Sequence, residues 1–258
     1  MATICQEFLI ASQYVAQWIA AQSAVGEESI TDWLLYHLSS RLKNLHYVKF
    51  TRHEEARITG ADWEWWIVGD KRALKLRIQA KRVFQKRDNY PGLAYSNKHG
   101  LQIERLLSNA AQENALAFYV FYSDASPQKT LCIQAVPALE RSLFLSAAND
   151  VNTRFVQPAR TTLLGDAVLA WSTPLECLVC CPVNPDSSDA IDRILSYLHT
   201  YHPLADESER LGIHRDLPYY VSTLLDRDML SGQGPLEQMF EGAPRVGGLV
   251  VLDLRSQS

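Results

Sequence analysis

Nothing in this chain of 258 residues approaches the run of roughly 20 apolar residues that a membrane-spanning helix requires. The opening stretch MATICQEFLIASQYVAQWIAAQSA has no basic residue and carries Glu7, so it is not expected to be a secretory signal. Neither charge sign dominates: 25 Lys and Arg stand against 29 Asp and Glu, a formal net charge of −4. A polyanion partner would therefore have to be met by a local patch. Five cysteines, an odd number, predict reduced thiols in a cytoplasm rather than a disulfide framework. No Walker loop or GxGxxG turn is present, so nucleotide hydrolysis is not indicated. Cys177, Cys180 and Cys181 form a CxxCC, but no second pair or histidine stands at zinc-finger spacing, and the stretch reads as buried cysteines in an apolar strand. His199, His202 and His214 do not fit a helical i, i+4 zinc pair. No internal repeat or Gly/Ser/Pro-rich linker divides the chain.

What is present is the balance of an ordinary globular protein, 47% hydrophobic and 21% charged. Helical spacing of Ile4, Phe8, Ala11, Val15, Trp18 and Ile19 predicts an amphipathic helix over residues 3–22. A second helix is predicted from Glu27 to Lys43, its face formed by Ile30, Trp33, Leu34, Leu38 and Leu42. Glu27 and Glu28 sit in its first turn, where the helix dipole favours carboxylates. A strand is predicted at His46–Arg52. The aromatic run Ala61–Val68, a Gly69-Asp70 turn and the alternating run Ala73–Phe84 read as a hairpin. Tyr90, Pro91 and Gly92 mark a loop, followed by a helix near Lys98–Asn114 and a buried strand at Ala115–Tyr122. Further along, strands are predicted at Thr130–Val136, Leu175–Cys181 and Gly248–Leu254. Helices are predicted at Pro137–Ala148, Ser188–Tyr201 and Leu217–Leu230.

The informative stretch is TGADWEWWIVGDKRALKLRIQAKR. A period of two places Lys75, Arg77, Gln79 and Lys81 on one face of the second hairpin strand. The turn near Gly69–Arg72 sets Asp62 opposite Gln79 or Lys81, within reach of a shared metal ion. Glu64 shares the strand face of Asp62, with a surface role expected. Trp63, Trp65 and Trp66 are expected in the core. Residues 71–87 hold Lys71, Arg72, Lys75, Arg77, Lys81, Arg82, Lys86 and Arg87 with no acidic residue, a pattern suited to phosphate-backbone binding.

Glu28, GAD ending in Asp62, and Gln79-Ala80-Lys81, laid over helix, three strands, helix, strand, resemble the PD-(D/E)xK restriction-endonuclease-like superfamily. More narrowly they resemble the Mrr-related branch, in which Gln replaces the motif's acidic residue (QxK), and an uncharacterised bacterial family of such domains. The likeness covers residues 25–125, between an N-terminal helix (1–24) and a C-terminal α/β extension (126–258) packed on the core. It implies an α/β fold with a mixed sheet and a Mg²⁺- or Mn²⁺-dependent nuclease with catalytic residues Glu28, Asp62, Gln79 and Lys81. Asp62, Gln79 and Glu28 would ligate the metal, with Glu27 as the neighbouring candidate for the helix carboxylate. Lys75, Arg77, Arg82, Lys98 and Gln102 are the expected nucleic-acid contacts. Double-stranded DNA is the implied substrate, in a cytoplasmic defence or restriction setting. A homodimer and an activating ligand or protein are candidate partners.

Overall fold

A computed structural model describes residues 3–50, 58–84, 92–124, 127, 129–132, 141–158, 165–181, 189–203, 212–226 and 245–255. Its spine is the strand whose side chains alternate most strictly in the sequence, β3 (Ala73–Val83), because every apolar layer of the protein packs against one of its faces. Leu74, Leu76, Ile78 and Ala80 join one core cluster, while Ala73 and Val83 join the other.

Around β3 lies a mixed sheet built from β1 (Leu45–Lys49), β2 (Trp63–Val68), β6 (Leu116–Ser123), β7 (Leu143–Ala147), β8 (Thr173–Pro174) and β10 (Gly248–Asp253), in the order β1-β10-β2-β3-β6-β7-β8. β9 (Ile213–His214) pairs with the start of β3. β2–β3 is the expected antiparallel hairpin, and β3–β6 is parallel. A small hairpin, β4 (Ser96–Asn97) with β5 (Gly100–Leu101), stands apart from the sheet. The fold is α/β with a mixed sheet.

Helices cover both faces. α1 (Ile4–Ala21) and α2 (Glu27–Arg41) bury Phe8, Val15, Ile19, Ile30, Leu34 and Leu38 on one side. α1 starts with a capping box in which Thr3 and Gln6 satisfy each other's backbone N–H groups. α3 (Gln102–Gln112) and the short α4 (Ala148–Val151) cover the other side, along with α5 (Gly165–Leu169). On the first face, α6 (Cys177–Cys180) and α7 (Ala190–Tyr201) complete the layer; α8 (Tyr219–Leu225) packs on the second. Among the described residues no helix is long and apolar enough to cross a membrane.

The segment after residue 125 does not merely rest on the sheet; it is woven into it. β10 lies between β1 and β2, parallel to β2 with Gly248 opposite Trp63. Glycine is required there, since a Cβ on Gly248 would fall 2.0 Å from the Trp63 ring. Four expected elements differ from what is observed. Thr130, Leu131 and Cys132 do not begin the strand expected there; Leu131 N–H donates to the Ser172 carbonyl at 2.9 Å without forming a ladder. Leu143–Ala147 is strand β7 where a helix is expected, because its five buried residues edge β6. The CxxCC stretch holds the one-turn helix α6, not a strand. Lys98 lies in the β4–β5 turn, and the helix begins only at Gln102. Residues 133–136 of the expected strand, 137–140 and 227–230 of the expected helices, the Tyr90-Pro91 turn, Arg52, Lys86 and Arg87 lie outside the described residues.

Candidate active site

β3 outruns β2 at one end. The pairing stops at Trp63 opposite Ile78, with Asp62 N–H donating to the Ile78 carbonyl at 2.8 Å. From Gln79 onward, the edge of β3 that β2 would have covered is open. Backbone N–H groups on such an edge need acceptors. Two carboxylates supply them. Ala80 N–H donates to Asp62 Oδ2 at 2.9 Å, and Arg82 N–H donates to Glu27 Oε1 at 2.9 Å. The overhang of one strand thus gathers two acidic side chains around the peptide units that flank Lys81.

Asp62 is held further by Gln79, whose Nε2 donates to its Oδ2 at 2.5 Å and to the Ala80 carbonyl at 3.0 Å. The other end of that amide, Oε1, accepts from Gln102 Nε2 at 2.7 Å, at the first residue of α3. Gly60 makes this approach feasible: at φ +75°, a Cβ there would sit 2.6 Å from the Gln102 carbonyl. Lys81 points into the same space, its ammonium 6.0 Å from the Tyr95 ring centroid. Together Glu27, Glu28, Thr31, Asp32, Lys49, Asp62, Gln79, Lys81, Gln102 and Gly247 line a cleft of about 330 Å³ between the starts of α2 and α3.

Electrostatics single out Asp62. Burial pushes its carboxyl up to about 6; the Ala80 N–H bond and the Lys81 charge oppose this, and Glu27 and then Glu28 add to it. The two helix glutamates differ in their setting. Glu27 is half-buried and fixed on the β3 edge. Glu28 is 66% exposed in its side chain and pairs with Lys49 at 2.9 Å; Asp32, one turn on, holds the same ammonium at 2.7 Å. Burial works against the Lys49 charge, but its bonds to Asp32 and Glu28 outweigh that and raise its pKa. The inner position therefore goes to Glu27, the neighbour of the residue that the family likeness selects.

The donor set fits a hard divalent cation. Such ions take oxygen ligands and accept one or two carboxylates. Asp62 and Glu27 provide two, in a desolvated setting that penalises Asp62 unless positive charge is near. Gln79 turns its amine, not its oxygen, toward Asp62. Turning the Gln79 and Gln102 carboxamides over together would bring Gln79 Oε1 toward Asp62 and set Gln79 Nε2 to donate to Gln102 Oε1, which as placed is buried without a hydrogen-bond partner.

The expected basic face is largely not a surface. Arg77 and Lys75 are 1% and 4% exposed. Glu64, also fully buried rather than at the surface, binds Arg77 Nη2 at 3.0 Å and Lys75 Nζ at 3.3 Å, while Glu113, just past the C-terminus of α3, lies 3.3 Å from Lys75. Trp66 Nε1–H and the Tyr220 hydroxyl donate to the same Glu64 oxygen, at 2.6 and 2.8 Å. The reason is coverage: α3 and α8 close over this face, and buried charges must then pair among themselves. Neither Arg77 nor Lys75 is available to a nucleic acid. Arg82 is also committed, its guanidinium donating to the carbonyls of Ser23 and Val25 in the α1–α2 connection. Arg72 pairs with Asp192 at the far end of β3, about 30 Å from Lys81 at 3.3 Å per residue. Lys98 is exposed on the β4–β5 turn and does not line the cleft.

Asp62, Gln79, Lys81, Gln102 and, at the mouth, Glu28 are brought together as expected. Lys49, Asp32 and Gly247 were not legible beforehand. Asp32 carried a signal, one helical turn after Glu28. Gly247 carried none, since its place beside the Asp62 carbonyl depends on β10 entering the sheet.

The sequence matches a family described as "Family of unknown function (DUF6615)" over residues 3–256, and the chain belongs to that family. No curated protein matches it.

Proposed function

We propose that the chain is a metal-dependent nuclease of the PD-(D/E)xK type, acting on DNA in a bacterial defence or restriction setting. One observation carries the reading: Asp62, Gln79 and Lys81 meet Glu27 on the open edge of β3, inside a single cleft. Asp62 and Glu27 would hold a Mg²⁺ or Mn²⁺ ion, with the Gln79 oxygen as a neutral third ligand. When bound, the ion supplies charge neutralisation at the phosphate and acidifies a water.

The protein's own groups do the rest. Lys81, next to Ala80 on the same edge, orients the attacking water and bears positive charge toward the developing phosphorane. Gln102 holds the Gln79 carboxamide from behind and would have to turn with it for the Gln79 oxygen to face the ion.

The test is cleavage of plasmid and linear DNA with Mg²⁺, Mn²⁺ or EDTA. Asp62→Ala should lose both metal binding and cleavage. Lys81→Ala should lose about 10²–10⁴ in rate while still binding metal. Wild-type protein that cuts with every one of these variants equally would place the chemistry elsewhere.

A second reading is a decayed nuclease fold that binds nucleic acid or a protein partner. The neutral Gln79, where the motif's commoner residue is a carboxylate, favours it, because an amide oxygen is a weaker ligand for a hard divalent cation. Protein that binds DNA but remains inert with both metals would select it.

A further inference from the structure

All five cysteines of the chain fall into one neighbourhood on the face of the sheet opposite α3. Cys5, in the first turn of α1, is bonded to Cys180 at the end of α6. This corrects the expectation of five reduced thiols. Behind the bridge, Cys177 and Cys132 place their sulfurs 3.5 Å apart, both buried. Cys181, next to the bridge, is half-buried.

Cys5, one half of the bridge, faces a cleft. Cys5 and Cys181 line this cleft of about 300 Å³ together with Thr3, Arg193 and Leu254. That cleft is separate from the one containing Asp62 and shares no residue with it. The bridge is the first anchor of α1; beyond it Phe8 and Ala11 pack in the core, Glu7 lies 3.5 Å from His37, and the Ser12 hydroxyl accepts from Ser142 N–H at 2.9 Å and Leu143 N–H at 3.1 Å.

We propose that this cleft is a thiol–disulfide exchange site for low-molecular-mass thiols, and that the Cys5–Cys180 bridge is the reducible latch that fixes the first two turns of α1 to α6. A thiolate RS⁻ attacks Cys5 Sγ; the Cys5–Cys180 bond breaks, and Cys180 leaves as a thiolate and takes up a proton. A second RS⁻ attacks the mixed disulfide on its outer sulfur, releasing RSSR and the Cys5 thiolate, which is protonated in turn. Two small thiols are oxidised and one bridge is reduced, so the electrons balance.

The external thiol is the attacker because the internal one is poorly placed to act. Cys177 stands three residues from Cys180, but the neighbouring Cys132 thiol and burial push its thiol far up, leaving little thiolate. The buried pair is therefore a bystander during exchange at the latch.

The experiment uses the full chain equilibrated in glutathione buffers of graded ratio, with disulfides mapped by peptide mass spectrometry. Oxidising buffers should give a Cys5–Cys180 peptide and three alkylatable thiols. Reducing buffers should give five, with a glutathione adduct on Cys5 at intermediate ratios. Hydrogen exchange over residues 4–11 should rise on reduction, while α7 stays protected. Cys5→Ser should show no transition and fast exchange at both extremes, and Cys181→Ser should keep the transition. Absence of the Cys5–Cys180 peptide in every oxidising buffer would overturn the proposal. So would zinc held by the cysteines of the purified chain, or a bridge reduced only after denaturation.

Discussion

The Asp62 carboxylate accepts a hydrogen bond from the Gln79 amide at 2.5 Å, across the point where β2 ends and β3 continues. This contact ties a group that gains from being charged only near a cation to a neutral side chain that can present either a donor or an oxygen.

The first prediction is a pH dependence. Asp62 has its pKa raised from 3.8 to about 6 in the folded chain, so the metal-free native state holds this proton more tightly than the unfolded state does. Stability should then fall as pH rises from about 4 to 6, and level off above. Metal binding runs the other way, since the cation competes with the proton. Mn²⁺ affinity measured by calorimetry should drop about tenfold per pH unit below 6 and plateau above it. Asp62→Asn should remove both slopes.

Gln79→Glu sets a second carboxylate against Asp62. Without metal the two like charges should lower stability by roughly 1–3 kcal/mol, as for an unsatisfied buried polar group. With Mg²⁺ the extra ligand should tighten binding. Urea melts with and without metal read both effects, and a variant indifferent to Mg²⁺ would remove Gln79 from the ligand set.

Arg77→Met breaks a buried charge cluster by leaving Glu64 with one cation fewer. The expected loss is about 3–5 kcal/mol of stability, measured by urea denaturation. The salt dependence of DNA binding should stay unchanged, because Arg77 is 1% exposed and paired with Glu64. A shallower salt slope with intact stability would return Arg77 to the surface.

Gly248→Ala drives a methyl group toward the Trp63 ring, one residue from Asp62. Overpacking of this kind costs about 1–3 kcal/mol or more. Metal affinity should weaken as well, since Trp63 anchors the strand end that carries Asp62. Tm and Mn²⁺ titration together test the pair.

The sequence by itself determined the hairpin and the meeting of Asp62, Gln79 and Lys81, and left the register open between Gln79 and Lys81 opposite Asp62. Those depend on a period of two and one short turn, and both are local. It also determined the two leading helices, whose apolar stripes repeat at helical spacing. Only the tertiary structure decided which polar residues of β3 face water. Lys75 and Arg77 alternate with apolar residues as an exposed face would, yet α3 and α8 cover them, and their partners Glu64 and Glu113, with Tyr220 bonded to Glu64, are scattered along the chain. The choice of Glu27 over Glu28 was likewise non-local, set by an Arg82 backbone N–H that no strand covers. The Cys5–Cys180 bridge joins positions 175 residues apart, a separation at which sequence spacing carries no information about contact. Alternation reports the direction in which a side chain leaves the backbone; what it meets there depends on which distant segment packs over that face.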